Sequence, residues 1–322
     1  MRVVRLNEFG APDVLVPGEA PDPTPGAGQV VIRVAVVNIT FVETQIRAGR
    51  APFPTPEPPF VPGNGVGGVV VAVGDGVDPA LVGTKVVSTT GGSGGYAELV
   101  AVNAGDVVPV PDQLDIQVAT AVLADGRTAI GLARLAAVAE GEWVLVEAAG
   151  GGVGSLLVQL AVDAGANVIA AAGSERKLAV ARDLGARVAV NYSDPKWTDE
   201  VLRATGGAGV DVVFDGVGGE VGNAALRLVA RNGRFVRSGL ASGQWTDTSA
   251  PDVEERGIRL LGLAQVAPSP AEFRQLIVDA LDAAASGRLR PVIGQTFPLE
   301  RAADAHATIE ARAAVGKTLL LP

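Results

Sequence analysis

The stretch from Trp143 to Gly165 constrains the fold of this chain more than any other. Trp143 to Ala148 is a short apolar run with β-branched residues, the pattern of a strand buried in a parallel sheet. Glycines crowd positions 150–154, and Ser155 to Ala164 then shows apolar residues at helical spacing. In a strand–turn–helix of this kind the helix presents unbonded N–H groups and the positive end of its dipole to whatever lies in front of it. A pyrophosphate reaches those groups only where no Cβ intervenes, which suits Gly151, and the helix packs on its strand only if Gly154 stays small. Ala149 stands at the first position of the usual G-x-G-x-x-G, so the match runs A-x-G-G-V-G. The pattern predicts a dinucleotide site, with a merely tight turn in another α/β fold as the alternative.

A chain of 322 residues suits roughly two domains. With 48% hydrophobic residues, each domain has enough apolar surface to bury a core. The net charge of −9 and the absence of a basic run argue against a nucleic-acid or anionic-membrane partner, since phosphate binding needs clustered Lys and Arg. No apolar stretch reaches the ~18 residues of a membrane span. The start, Met1-Arg-Val-Val-Arg-Leu-Asn-Glu8, lacks the apolar core of a signal peptide, so a cytoplasmic protein is expected. There is no cysteine and a single histidine, His306, which excludes thiol catalysis and the ordinary cysteine- or histidine-built zinc sites; no metal is expected.

Taken in order, residues 1–120 show short runs separated by Pro and Gly turns: Arg2–Leu6, Gln29–Val37, Gly67–Val73, Thr84–Ser88 and Tyr96–Val102. They predict an irregular, mostly antiparallel β domain. The proline-rich 51–62 reads as a loop, and Asn38 to Gly49 as a strand end followed by a short helix. Residues 114–139 turn helical. Strands at 143–148, 167–172, 187–190, 211–215 and 233–238 then alternate with helices at 155–164, 174–184, 197–205 and 220–231. That alternation predicts a doubly wound parallel sheet over 121–264, with a further strand at 258–263. Helices at 270–287 and 301–314 and a strand at 317–320 make 265–322 a return to the first domain.

Cofactor preference is read at the end of the second strand. An NAD-specific fold carries an acid about 20 residues past the glycines to hold the ribose 2′-OH. Here the strand ends Ala170-Ala-Ala-Gly-Ser174 without one, and a helix opens Glu175-Arg-Lys177. A hydroxyl at Ser174 with cations at Lys177 and Arg176 suits a 2′-phosphate, and hence NADPH. The alternatives are that Ser174 only caps the helix, that Lys177 is solvated, and that Glu175 holds a ribose.

The run Gly141 to Gln159 resembles the signature of the zinc-free quinone oxidoreductase/zeta-crystallin group of medium-chain dehydrogenases/reductases. Glu43–Gly49, Val61–Gly63, Gly94–Glu98, Lys177–Ala186, Asn191-Tyr192, Asp215–Gly218 and Gly316-Lys317 extend the resemblance along almost the whole chain. It implies a GroES-like catalytic domain beside a Rossmann domain and a homodimer. It also implies pyrophosphate binding by Gly151, Gly152, Val153 and Gly154, and Ser174, Lys177 and Tyr192 around the 2′-phosphate and adenosine. Thr128 would lie near the nicotinamide ribose, and Gly216 and Val217 on the adenosine side. Ser238 and Leu240 would approach the nicotinamide, and Lys317 joins the cofactor set. Zinc-dependent relatives carry Gly-His-Glu where this chain has Gly63-Asn64-Gly65. Two departures bear on the substrate: Thr40 stands where the family usually has Asn, and Gln45 where it often has Tyr. Asn38, two residues before Thr40, would face the same side if both lie on a strand and would then replace the amide.

Without a metal, conjugate reduction is the least demanding chemistry: hydride goes to a quinone or an α,β-unsaturated carbonyl, and polar groups steady the oxygen that gains charge. Asn38, Thr40 and Gln45 are the candidates for that role. Arg127, beside Thr128, either meets an acidic substrate or pairs with Asp125 or solvent. His306 reads as structural or superficial. The alternatives are an enoyl-thioester reductase of a biosynthetic pathway and a non-catalytic NADPH-binding structural or sensor protein.

Overall fold

The computed structural model describes residues 1–51, 53–249, 251–267 and 269–322. Pro52, within the loop expected at 51–62, lies outside them, as do Ala250 and Pro268. The chain divides into two compact units, Met1–Ala124 with Ile277–Pro322, and Asp125–Leu276.

The first unit is mainly antiparallel. β1 (Arg2–Leu6) and β2 (Leu15–Glu19) pair as a ribbon. β3 (Gln29–Ile39) leads into the short helix α1 (Phe41–Arg47), and β4 (Gly65–Val73), β5 (Lys85–Thr89), β6 (Leu99–Asn103) and β7 (Val107–Pro109) follow. β3 is the spine: at eleven residues it is long enough to pair with both β4 and β6. Its pairing with β4 slips twice, between Val31 and Ile32 and between Val34 and Val36. Such bulges increase local twist and bend the strand. At Gly68 a Cβ would stand 2.0 Å from the Arg33 carbonyl oxygen, so no side chain fits there. Val4, Leu6, Ile32, Val66, Val86 and Tyr96 fill the core. β2 was not expected from the sequence, because Pro17-Gly18 inside it reads as a turn; a two-stranded ribbon leaves Pro an unpaired side.

α2 (Ile116–Ala136) leads to the second unit: β8 (Trp143–Val146), α3 (Gly152–Asp163), β9 (Asn167–Ala172), α4 (Glu175–Asp183), β10 (Val188–Asn191), α5 (Trp197–Ala204), β11 (Val210–Asp215), α6 (Gly219–Leu228), β12 (Val229–Arg237), α7 (Pro251–Glu255) and β13 (Arg259–Gly262). The six strands are parallel in the order β10-β9-β8-β11-β12-β13. This is the doubly wound order, with its reversal between β8 and β11, where such sheets bind ligands at the carboxyl ends of the strands. Leu145, Ile169, Val213, Ala225 and Phe235 are fully buried in its core. α6 stops three residues short of the expected 231. Val229 leaves helical geometry (ψ 131°) and pairs with Val210 before the ladder slips, so β12 begins at once.

The chain then forms α8 (Pro270–Ala285), β14 (Ile293–Pro298), α9 (Ala302–Glu310) and β15 (Lys317–Leu321). β14 and β15 are parallel to each other, and β15 runs antiparallel to β3, setting Leu319 beside Asn38. β14 escaped the sequence reading because Ile293-Gly-Gln-Thr-Phe-Pro298 alternates only half-buried residues with exposed ones. No helix among the described residues is long and apolar enough to cross a membrane.

Leu145 is fully buried at the centre of the parallel sheet. Leu145→Ala is expected to destabilise the second unit by about 2–5 kcal/mol through lost burial and the residual cavity. The urea midpoint followed by tryptophan fluorescence measures this loss.

Candidate cofactor and active site

In the second unit the glycine turn is built around one carbonyl. Ala148, just past β8, takes the left-handed conformation (φ +48°), and its oxygen accepts the Gly151 N–H at 2.8 Å. A Cβ on Gly154 would lie 2.3 Å from the same oxygen, so α3 closes on β8 only with glycine there. Gly151 caps α3 in an extended conformation, and its nearest obstacle is that oxygen at 3.2 Å. A side chain at 151 would therefore fill the space in front of the helix rather than collide heavily with the protein. Gly152, Val153 and Gly154 form the first turn, whose N–H groups have no carbonyl within the helix. This is a cradle for an anion.

The neighbouring elements complete it. A Cβ on Gly150 would meet the Lys177 side-chain stem at 2.5 Å, so Lys177 lies against the turn instead of standing in solvent. Ser174 is the N-cap of α4 by position, yet its hydroxyl makes no capping hydrogen bond. Tyr192 packs its ring beside Gly173, 3.0 Å from where a Cβ would stand. Glu175 is exposed and turned along α4 to pair with Arg182. Hydrogen bonding to Arg182 holds its carboxyl below the ordinary value, and it does not occupy the end of β9.

Sequence reasoning missed three acids here. Asp125, on α2, brings a carboxylate oxygen to 1.9 Å from a notional Cβ on Gly152, which places negative charge at the first turn of α3. Asp215, fully buried at the end of β11, accepts from the Val217 N–H at 3.0 Å and the Gly218 N–H at 2.7 Å, and also from the Thr246 hydroxyl. Its backbone oxygen accepts the Ser238 N–H (2.7 Å), the Ser238 hydroxyl (2.8 Å) and the Gly239 N–H (3.1 Å). Gly216 and Val217 are thereby tied to the segment carrying Ser238 and Leu240; Gly216 and Val217 oxygens accept from Ala241 and Ser242. Glu147, fully buried after β8, is the third acid. Glu147 and Asp215 show in the sequence only as an acid closing an apolar strand, and Asp125 only as a partner of Arg127.

Thr128 is half-buried on α2. Its neighbour Arg127 lays its guanidinium 3.8 Å over the Phe273 ring. Burial lowers the pKa of that guanidinium, and Asp125 partly restores it.

The polar candidates Asn38, Thr40 and Gln45 belong to the first unit, as does Lys317. Asn38 ends β3 almost completely buried, and its Oδ1 has no hydrogen-bond donor. Thr40 caps α1: its N–H donates to Glu43 Oε2 at 2.6 Å and its hydroxyl to the same atom at 3.2 Å. Gln45 Nε2 donates to Thr44 Oγ1 at 3.1 Å. Glu43 is the hub that the Thr-x-x-Glu spacing announces. It is buried, which raises its pKa; the N–H groups of Thr40 and Asn64 (2.9 Å) and the charge of Lys317 oppose that shift. His306 is fully buried, its Nε2 2.7 Å from Tyr96 Oη and its Nδ1 without a partner. It is a core residue. Burial, reinforced by Arg47, lowers its pKa to about 3.

Comparison with known proteins gives a consistent result. The alcohol dehydrogenase GroES-like domain profile matches residues 26–112 and the zinc-binding dehydrogenase profile residues 152–283. Quinone oxidoreductases of Sus scrofa and Pseudomonas aeruginosa are each 32% identical, the first over 100% of this chain and 98% of its own, the second over 99% of both. A 2-haloacrylate reductase of Burkholderia sp. is 32% identical over 98% of each chain. The Escherichia coli quinone oxidoreductase solved with NADPH superposes with a TM-score of 0.92 at 27% identity, covering all of both chains. A mycobacterial protein solved with NADPH gives 0.91 at 34%, again over both full chains.

The single histidine makes a direct test possible. Its imidazole resonances are expected to stay constant from about pH 8 to about pH 5, because the folded ring remains neutral. As pH falls below the ordinary 6.5 the unfolded chain binds a proton that the folded one refuses until about 3. That contribution to stability is lost by up to ~1.4 kcal/mol per pH unit in this window. Tyr96→Phe leaves both ring nitrogens unpaired and is expected to cost about 1–3 kcal/mol by thermal unfolding.

Proposed function

The chain belongs to the quinone oxidoreductase family of the medium-chain dehydrogenases/reductases, and on that premise we propose that it is an NADPH-dependent reductase of quinones or α,β-unsaturated carbonyl compounds. The observation that carries the reading is the cradle of Gly151–Gly154 with Lys177 laid against it and Ser174 uncommitted beside it. The two relatives solved with NADPH support the same choice. The fit rests on chemistry: amides of a helix first turn for a pyrophosphate, a cation and a hydroxyl for a 2′-phosphate, and no acid at the end of β9 to repel it. Tyr192 and Gly216-Val217 belong to the adenosine side of this reading. Thr128, Ser238 and Leu240 belong to the nicotinamide side; Lys317, nearly fully buried in the first unit with its charge toward Glu43, joins the cofactor set only through the family resemblance.

When bound, NADPH supplies a hydride from its dihydronicotinamide ring. The chain's own part is binding, orientation and charge stabilisation. Asn38 is the strongest polar candidate for a substrate oxygen: it is buried, and its amide is incompletely bonded within the protein. Thr40 and Gln45 have weaker claims, since the Thr40 hydroxyl is engaged by Glu43 and the Gln45 amide by Thr44. His306 takes no part as an acid, being sealed in the core with a depressed pKa. Solvent then delivers the final proton. The homodimer, with β13 as the pairing edge, and a cytoplasmic location belong to the same reading.

A second substrate reading has its own support. An unsaturated carboxylate suits the guanidinium of Arg127, held flat on Phe273, and a 2-haloacrylate reductase is among the relatives.

The test is oxidation of NADPH and NADH in parallel, with a quinone, an alkenal, 2-chloroacrylate and crotonyl-CoA as acceptors. Quinone or alkenal turnover with a clear preference for NADPH is expected; thioester turnover alone, or none despite tight NADPH binding, overturns the reading. Lys177→Ala is expected to raise KM for NADPH about tenfold or more while leaving that for NADH nearly unchanged, the signature of a lost phosphate contact.

A further inference from the structure

Glu147 has no place in the chemistry above, yet it is among the least comfortable groups in the molecule. Its carboxyl is fully buried, and neither oxygen receives a hydrogen bond from a donor. The group it meets is the carboxyl of Asp215, on the adjacent strand. Two carboxylates brought together out of water cannot both stay charged, and one proton between them turns repulsion into a hydrogen bond. The donors fix which one carries it. Asp215 already accepts from two backbone N–H groups and a threonine hydroxyl. Glu147 has no comparable set, so the proton resides on Glu147 and is donated to Asp215.

We propose that Glu147 is a positioning residue for the cofactor: as a neutral acid it donates to Asp215 and so fixes Gly216–Gly218 and the 238–246 segment, and its ionisation releases both. The inference rests on the assignment of those segments to the cofactor site. The lever is short, because Asp215 holds one segment through Val217 and Gly218, and the other through Ser238, Gly239 and Thr246. Burial, then the charge of Asp215, keeps the Glu147 carboxyl well above the ordinary carboxylate range; the nearby Val217 N–H, which donates to Asp215, is the weaker opposing influence.

The other ionisable groups on the surrounding elements are differently engaged. β9 carries none. Asp163 lies at the far end of α3. Asp125 of α2 meets Gly152, and Lys177 of α4 meets Gly150. Glu220 and Arg227 of α6 are exposed, and Arg237 of β12, in register with Asp215, sets its guanidinium over the Trp245 ring. Asp215 is thus the partner that sets the behaviour of Glu147.

The sign follows from the raised pKa. The pair with Glu147 protonated is intact at low pH, and its contribution is lost as pH rises through the folded value of Glu147. NADPH affinity, followed by fluorescence titration from about pH 6 to about pH 9, is expected to weaken toward high pH by ~tenfold, the worth of one such hydrogen bond. Glu147→Gln supplies a donor that cannot ionise. It is expected to bind NADPH within about threefold of the parent at the acid end and to lose the alkaline decline. The unfolding midpoint measured without cofactor reads the same pair independently: it falls with rising pH in the parent more steeply than in Glu147→Gln. A parent curve that is flat in both measurements, or a Gln variant that follows the parent in both, overturns the inference. Failure of the parent to bind NADPH at any pH, with the stability difference intact, overturns the cofactor assignment while leaving the Glu147–Asp215 pair in place.

Discussion

Everything that distinguishes the second unit depends on the carbonyl of Ala148 and on how little room is left around it. That oxygen accepts the Gly151 amide, stands where a Cβ on Gly154 would be, and belongs to a residue held at positive φ. A tight strand-to-helix turn is what aims the first-turn amides of α3 outward from the centre of the sheet. Lys177 then lies on Gly150 and Asp125 on Gly152 because glycine leaves the turn bare enough for both. The strand order places this turn at the reversal of winding, where neighbouring helices depart on opposite faces and leave the strand ends open. Close packing and the open cradle thus use the same missing side chains.

The first unit solves a different problem. It has few helices to cover its sheet, so it buries polar groups and must satisfy them. Glu43 receives two backbone amides and the charge of Lys317, and Arg47 is met by Glu310 and the Gly10 carbonyl. His306 shares one hydrogen bond with Tyr96 and stays neutral. These contacts join α1, α9 and the sheet where apolar packing alone would leave gaps. Asn38 Oδ1, Arg47 Nε and His306 Nδ1 are left without partners, and of these only Asn38 is an uncharged amide at the end of β3.

How much of this was legible in the sequence depended on the range of the interaction. The parallel sheet could be read because each βα unit is local: the apolar run, the glycines and the helical spacing lie within a few dozen residues of one another. Ser174 and Lys177 were legible for the same reason, as candidates at the end of the second strand, whereas Tyr192 was legible only through the family resemblance. β2, β7 and β14 were not, since short strands containing proline, or with one half-buried face, carry too little periodicity. The acids were harder still. Nothing beside Glu147 in the chain announces Asp215, and only the pairing of β8 with β11 makes them neighbours. Thr40 was read as a catalytic group from its place in a family pattern, while its first obligation, to Glu43, lay in the three-residue spacing of a capping box.

The register between β3 and β15 has a consequence for biosynthesis. Asn38 leaves the ribosome early, but the strand beside it, which sets Leu319 against it and carries Lys317 toward Glu43, is made only after the entire second unit. Contacts of such high sequence separation form late, because the intervening chain must be closed into a loop first. The nascent chain therefore passes through a stage in which the parallel sheet has all its strands while the long edge of β3 is unpaired along its Val37–Ile39 end. An apolar strand edge waiting in that state is a natural target for chaperones, and truncation anywhere before Lys317 would leave it open permanently.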